Sequence, residues 1–307
     1  PNATGNVEDY RAFVEKAHAA NCKVAVAADI LSLALLTPPG EWGADIVFGT
    51  TQRLGTPMFY GGPSAAYFAT RDEYKRNMPG RIIGWSKDKY GKLCYRMALQ
   101  TREQHIKREK ATSNICTAQA LLATMAGFYA VYHGPEGIRT IAERIHSIAV
   151  FLEESINRLG YKQVNAQYFD TLRFALPDTI SAQQIRTIAL SKEVNLRYFK
   201  NGDVGMSIDE TTDITAVNVL LSIFAIAAGR DWEKASDVPM ASSISAEMKR
   251  QSTYLTHEVF NKYHTETEMM RYIKRLNRKD ISLAHSMISL GSCTMKLNAA
   301  AEMLPLS

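Results

Sequence analysis

A strand, a turn and a second strand in Ala44–Ala69 limit most strongly what this chain can fold into. The segment reads ADIVFGTTQRLGTPMFYGGPSAAYFA. Asp45–Phe48 and Ser64–Ala69 are apolar, and the residues between them are mostly polar, Gly or Pro, as in a turn. A further apolar run, Val24–Ala28, ends at Asp29. The strand at Asp45–Phe48 is predicted to be buried, and its alternation with helical segments predicts an α/β fold.

A long helical region follows in the middle of the chain. Thr117–His133 is apolar on nearly every face, which predicts a buried helix. Gly134 and Pro135 then predict a helix end followed directly by a new helix start. The second helix, Pro135–Leu159, carries apolar residues at steps of three and four, which is typical of an amphipathic helix that bridges two domains.

A smaller α/β unit is predicted after this helix. Ser181 opens a capping box, Asn201-Gly202 marks a hairpin turn, and Asp213–Ala228 is an apolar helix. The stretch Ala235–Ser245 is rich in Ser, Ala and Pro and reads as a linker. The predicted divisions are a partial large domain (1–134), a bridging helix with the small α/β domain (135–230), a linker (231–260) and the start of a further unit (261–307).

Composition excludes several function classes. The net charge is +5, with acidic and basic residues interspersed, and there is no basic stripe interleaved with aromatic residues, so nucleic-acid binding is not expected. The four cysteines lack metal-ligand spacing, which argues against a metal site and for a reducing compartment such as the cytoplasm. No apolar run is long enough for a membrane span.

The densest polar segment, Gln100–Thr117, reads QTREQHIKREKATSNICT and directly precedes the predicted buried helix. Its hydroxyl and amide side chains lie where a helix N-terminus offers free N–H groups to an anion, which predicts a phosphate clamp. An ordinary N-terminal cap with solvated basic residues explains the same pattern. The proposed clamp residues are Thr112, Ser113 and Asn114.

Further polar residues each allow two interpretations. His105, near Arg102, is either a general acid or base or an exposed histidine in a basic cluster. The loop Ser292, Cys293 and Thr294 is either an anion-binding or nucleophilic loop or an ordinary loop. Asp29 is either a cofactor ligand or a cap, because an aspartate at a strand end serves both roles.

Long motifs in this chain resemble the P-protein family of glycine cleavage systems. The resemblance covers nearly the whole sequence, and the segments that carry it are Leu35–Val47, Tyr60–Ala69, Met78–Gly84, Ala98–Leu122 and Ser289–Asn298. It implies the aspartate aminotransferase fold type I of enzymes that use pyridoxal 5'-phosphate (PLP). It further implies two homologous halves, with the lysine that anchors PLP in the C-terminal half.

The resemblance also implies an activity and its partners. The family decarboxylates glycine and passes the aminomethyl group to the lipoyl arm of H-protein. The chain resembles the latter part of the N-terminal half, running into the catalytic C-terminal half, so the 307 residues alone are expected to be inactive. A homodimer of the full chain is expected, in the bacterial cytoplasm or the mitochondrial matrix. A stand-alone scaffold or regulatory subunit and another fold-type I PLP enzyme are the alternatives.

Residue roles follow from the resemblance. Gln52 stands where the family's lysine turn would place its lysine, so no amine is expected there. Asp29 is the vestigial partner of the pyridine nitrogen. The clamp residues would reach the PLP phosphate of the partner half. The residues expected to border that active site are Arg102, His105, Ser292, Cys293 and Thr294.

Overall fold

The computed structural model describes residues 1–58, 62, 64–78, 80–99, 104–111 and 119–279. Within these ranges the chain combines helices with three β-sheets, of three, two and four strands. The α/β class predicted from the sequence is confirmed. The strands are β1 (Ala25–Ala27), β2 (Ile46–Thr50), β3 (Ala66–Thr70), β4 (Ile82–Lys87), β5 (Leu93–Leu99), β6 (Lys162–Gln163), β7 (Thr171–Ala175), β8 (Arg197–Tyr198) and β9 (Val204–Ser207). The α-helices are α1 (Arg11–Ala19), α2 (Gln104–Lys107), α3 (Ala120–Arg158), α4 (Ala182–Ser191), α5 (Ile214–Ala228) and α6 (Glu266–Asn277).

The three-stranded sheet has the order β1-β2-β3, with β1 parallel and β3 antiparallel to β2. The strand–turn–strand predicted from the sequence is therefore present. The expected burial of its first strand is only partly correct. Val47 is buried, but Phe48 and its cross-strand partner Phe68 are 41% and 42% exposed. The apolar sequence alone did not reveal that one face of this sheet stays open at that pair.

Strands β4 and β5 form a separate antiparallel hairpin. Residues Asp88–Lys92 make its turn, in which Asp88 Oδ1 accepts hydrogen bonds from the backbone N–H groups of Tyr90 and Lys92. The hairpin leads into α2 and thus into the basic segment singled out in the sequence.

Helix α3 is bent at Gly134, as the Gly-Pro pair predicts. Gly134 has φ 61° and ψ −175°, which no L-residue adopts readily. A Cβ atom there would lie 2.6 Å from the carbonyl oxygen of Phe260 and 2.8 Å from Cε1 of His264. The two sides of the bend differ in burial, because Leu121 and Met125 before it are exposed whereas Ile145 and Leu152 beyond it are fully buried. The prediction of a buried helix at Thr117–His133 is therefore wrong for its described beginning.

The second part of α3 packs against α5 and against a four-stranded sheet of order β6-β7-β9-β8, and α4 packs against α5. We call this sheet with α4 and α5 the four-stranded unit (residues 161–229). Gly202, with φ 92°, makes the predicted tight turn between β8 and β9. Ser181 Oγ accepts a hydrogen bond from the Gln184 N–H, and Asp213 Oδ1 accepts one from Ala216, so both helix starts are capped. Its fully buried aromatic residues are Phe169, Phe174 and Phe224.

The chain after α5 continues in an irregular conformation and contacts α3 and the segment that follows β1. The Ser243 N–H donates to His146 Nε2 at 3.0 Å, and the Arg250 N–H donates to the Leu35 carbonyl at 2.7 Å. The segment predicted as a linker is thus held against the body of the molecule. Helix α6 follows and is capped by Thr265, as its sequence predicts. Among the described residues, no helix combines the length and the apolar character that crossing a membrane requires.

Candidate active site

Asp29 lies two residues after the end of β1 and faces the turn after β2. Its Oδ1 accepts a hydrogen bond from the Leu31 N–H at 3.2 Å, and its carbonyl accepts one from Ser32 Oγ at 2.8 Å. These contacts hold the short 3₁₀ turn Ser32–Ala34 against the strand end. Asp29 therefore makes a local turn contact, and the same carboxylate has a charged partner as well.

That partner is Arg53, which lies on the turn between β2 and β3. Arg53 Nε approaches Asp29 Oδ1 at 3.4 Å, and Nη2 approaches Oδ2 at 3.2 Å. Both side chains are 21% exposed. A guanidinium that reaches both oxygens of a carboxylate makes a directional, charge-assisted contact. Asp29 thus has a cation from its own chain.

Arg53 also contacts Asp170, whose side chain is only 7% exposed. Asp170 lies just before β7, so Arg53 connects the three-stranded sheet to the four-stranded unit. The guanidinium carbon lies 5.9 Å from the centre of the Phe169 ring, within the range of a cation–π contact. We call Asp29, Arg53 and Asp170 the Arg53 bridge.

A buried histidine fixes the backbone next to Asp170. His146 Nδ1 donates to the Phe169 carbonyl at 2.7 Å, while its Nε2 accepts from Ser243. Burial lowers the pKa of His146, which favours the neutral ring that this pair of hydrogen bonds requires. The position of Asp170 therefore depends on α3 and on the irregular segment after α5.

Gln52 lies in the same turn as Arg53. Its N–H donates to Thr50 Oγ1 at 3.1 Å, and that hydroxyl donates to Ser64 Oγ at 3.0 Å. Two other hydroxyls of the turn, on Thr51 and Thr56, are buried and have no hydrogen-bond partner among the described residues. None of these groups is an amine. The turn therefore does not fit a covalently anchored PLP.

A second buried carboxylate, Asp45, was not singled out in the sequence. Its Oδ2 accepts hydrogen bonds from the Val24 N–H at 2.8 Å and from His18 Nε2 at 2.9 Å. Desolvation raises the pKa of Asp45, but these hydrogen bonds and the positive charges of His18 and Lys23 outweigh it and lower the pKa to about 2. Asp45 joins α1 to the start of β1 and β2.

Most of the remaining candidate residues lie outside the described residues. These are Arg102, Thr112, Ser113, Asn114, Ser292, Cys293 and Thr294. His105 belongs to α2, but its side chain is outside the description. Helix α3 begins at Ala120, and Gln119 before it makes no side-chain cap. Neither the phosphate clamp nor its alternative is tested by this geometry. Within the described residues, no group of three or more His, Cys, Asp and Glu is arranged to bind a metal.

One weak sequence signal pointed to the Arg53 bridge, and none pointed to its buried end at Asp170. Arg53 stands beside Gln52 in a turn whose polarity is expected of any turn. Asp170 lies 117 residues further along, and nothing around it has a recognisable pattern.

Comparison with known proteins gives a consistent result. A profile of the family described as "Glycine cleavage system P-protein" matches residues 1–224. A protein of Bacteroides fragilis (strain YCH46) named glycine dehydrogenase (decarboxylating) is 87% identical over all 307 residues, which are 32% of its length. The chain thus spans about a third of the length of such curated relatives.

Solved structures agree with the fold. A crystal structure of glycine decarboxylase (P-protein) of the glycine cleavage system, in inhibitor-bound form, superposes with a TM-score of 0.68 at 31% identity, covering 74% of this chain and 53% of the other. A sphingosine-1-phosphate lyase of Burkholderia pseudomallei gives a TM-score of 0.52 at 14% identity, over 74% of this chain and 50% of the other, which shows the fold alone. The fold is that of the fold-type I PLP-dependent enzymes.

Proposed function

Because this chain belongs to the glycine cleavage system P-protein family, we propose that it is part of a PLP-dependent glycine decarboxylase. The full-length enzyme would release CO2 from glycine and transfer the aminomethyl group to the lipoyl arm of H-protein. The portion described here would be a half without catalytic chemistry of its own, joined to a catalytic C-terminal half. PLP, when bound in that half, supplies the electron sink that decarboxylation requires.

The observation that carries the proposal is the pairing of Asp29 with Arg53. In an active half, an aspartate at this strand end would hold the protonated ring nitrogen of PLP. Here Asp29 accepts from Arg53 through both oxygens. Arginine does not lose its proton at physiological pH, so its charge cannot be switched off to make room for another cation. The bond to Asp170 anchors the guanidinium further.

Gln52, which precedes Arg53 in the same turn, supports the same proposal. A covalent bond to the PLP aldehyde requires the lone pair of a primary amine. The nitrogen of a carboxamide is not nucleophilic because its lone pair is delocalised into the carbonyl. The lysine that anchors PLP should therefore lie outside residues 1–307.

The contribution of this half would be to complete the site of the other. Thr112, Ser113 and Asn114 would donate hydrogen bonds to the phosphate of PLP held by the partner half. Arg102, His105 and the loop of Ser292, Cys293 and Thr294 would border the same site. These roles would require the two halves to face each other, in a homodimer of full-length chains.

Reduction of the full-length protein with borohydride, followed by peptide mapping, tests the proposal. We expect one PLP per chain, attached to a lysine beyond residue 307, and glycine–bicarbonate exchange that depends on lipoylated H-protein. Asp29→Asn should leave the PLP content unchanged, with Asp237→Asn, an exposed aspartate, as the control. PLP trapped within residues 1–307, or loss of PLP in Asp29→Asn, would contradict the non-catalytic role. A protein without exchange activity would contradict the enzyme assignment.

A further inference from the structure

One face of the β4–β5 hairpin is almost entirely apolar and exposed. The register pairs Trp85 with Tyr95 and Ile83 with Met97, so these side chains stand side by side. Trp85 and Tyr95 meet edge to face with ring centres 5.9 Å apart. The hairpin face consists of five apolar side chains and one lysine: Ile83, Trp85, Leu93, Tyr95 and Met97, which are 55%, 71%, 65%, 76% and 41% exposed, and the exposed Lys87, which pairs with Leu93 at the turn end.

The opposite face of the same hairpin has the reverse character. Gly84, Ser86 and Cys94 lie on that side and are partly buried, and Arg96, the cross-strand partner of Gly84, lies there too and is exposed. A hairpin that folds onto its own chain normally turns its large apolar residues inward and its small or polar residues outward. An isolated two-stranded hairpin is also only marginally stable in water. The arrangement therefore indicates that the hairpin face packs against something other than the described residues.

The start of α3 supports this conclusion independently. Leu121 is 72% exposed and Met125 is 37% exposed, although the sequence there is apolar on nearly every side. Ile106 on α2, between the hairpin and α3, is 45% exposed. Of the 21 large apolar side chains that are exposed among the described residues, nine lie between residues 82 and 125. Such concentration in one stretch of chain is characteristic of an interaction surface.

We propose that the hairpin face is an interface with the part of the full-length polypeptide that lies outside residues 1–307. The 87% identical relative is about three times as long as this chain, so most of the polypeptide is available to cover it. The proposal depends on that length and on the exposed side chains, and it does not depend on which half carries out catalysis.

The hairpin face could also be covered by the same face of a second copy of the chain, but the charges make that contact unfavourable. Three exposed basic side chains lie on this face or at its turn, Lys87, Lys89 and Lys92, with a single acidic one, Asp88, whereas Arg96 lies on the opposite face. A two-fold contact of this face with itself would bring the two basic sets together, which is unfavourable. The complementary surface is apolar at its centre, with acidic residues around it.

Oxidative footprinting of the full-length protein tests whether the face is covered. Tyr95 lies on the hairpin face and Tyr90 at the hairpin tip, and the two are 76% and 74% exposed in this chain. They have the same intrinsic reactivity, so Tyr90 is a matched internal control. In the native protein we expect Tyr95 to be oxidised roughly tenfold more slowly than in urea, as for a side chain in an interface core. Oxidation of Tyr95 at its unfolded rate overturns the proposal.

Photo-crosslinking identifies what covers the face. The full-length protein would carry p-benzoylphenylalanine in place of Tyr95, with the same replacement of Leu190, which is 52% exposed on α4, as the control. We expect crosslinks from position 95 to peptides beyond residues 1–307 and none of these from position 190. Crosslinks from position 95 to residues 82–99 of a second copy, or no crosslink at all, overturn the proposal.

Discussion

The four-stranded unit and the β4–β5 hairpin both contain antiparallel strands, yet they differ in the burial of their aromatic side chains. Phe174 and Phe224 in the unit are fully buried, and their rings lie 5.7 Å apart. Trp85 and Tyr95 on the hairpin form a similar pair with most of their surface exposed. The unit finds most of its packing partners within residues 120–229, and the buried Leu31 and Ala34 complete the same core, whereas the hairpin face finds no such cover among the described residues. The difference separates a core that is complete from a surface that requires the rest of the polypeptide.

The largest effect is expected in the core of the four-stranded unit. Phe174→Ala should reduce the free energy of unfolding by about 3–5 kcal/mol, because it removes a buried ring and leaves a cavity. Urea denaturation followed by circular dichroism measures the change. Leu190→Ala, at an exposed site on the same unit, is the control and should change it by less than about 0.5 kcal/mol. A cost of the same size in both variants would show that the unit is not the self-contained core that we describe.

A smaller effect is expected at the Arg53 bridge, which joins the unit to the three-stranded sheet. Arg53→Met removes the cation from two carboxylates, of which Asp170 is nearly buried. Breaking a buried pair costs about 3–5 kcal/mol, and the partial exposure of Arg53 and Asp29 reduces the expected loss to about 2–3 kcal/mol. The double variant Arg53→Met/Asp170→Asn should recover part of the loss, since it removes the unpaired buried charge. Equal thermal stability of Arg53→Met and the unaltered protein would mean that the bridge does not hold the two regions together.

The smallest effect on stability is expected at Asp45, which directly precedes β2 of the three-stranded sheet. A pKa near 2, against the usual 3.8, corresponds to about 2 kcal/mol of stability. Because the folded-state pKa is the lower one, this stabilisation is present above about pH 4 and is lost as the pH falls towards 2. Asp45→Asn should therefore flatten the dependence of the unfolding free energy on pH in that window. Asp72→Asn, at an exposed aspartate, is the control. If the unfolding free energy of Asp45→Asn fell between pH 4 and 2 as steeply as that of the unaltered protein, the stabilising role of Asp45 would be contradicted.

Local sequence signals predicted the parts of the fold whose partners are close along the chain. The bend at Gly134, the hairpin turn at Gly202 and the cap at Ser181 were each predicted from a few neighbouring residues, and the structure contains all three. The Arg53 bridge was not predictable in this way, since Asp170 is distant in sequence and a single carboxylate before a strand has no distinctive pattern. The burial predicted for the start of α3 was wrong because an apolar segment does not reveal whether its cover belongs to the same stretch of chain.

The bend in α3 also links two distant parts of the sequence. The carbonyls of Tyr132 and Pro135, on either side of Gly134, accept hydrogen bonds at 2.7 Å from His264 Nδ1 and the Tyr254 hydroxyl. The missing side chain at Gly134 leaves the space that residues 260–264 occupy. We therefore expect position 134 and the segment 254–264 to change together among homologues. A homologue that replaces this glycine has to reroute the later segment.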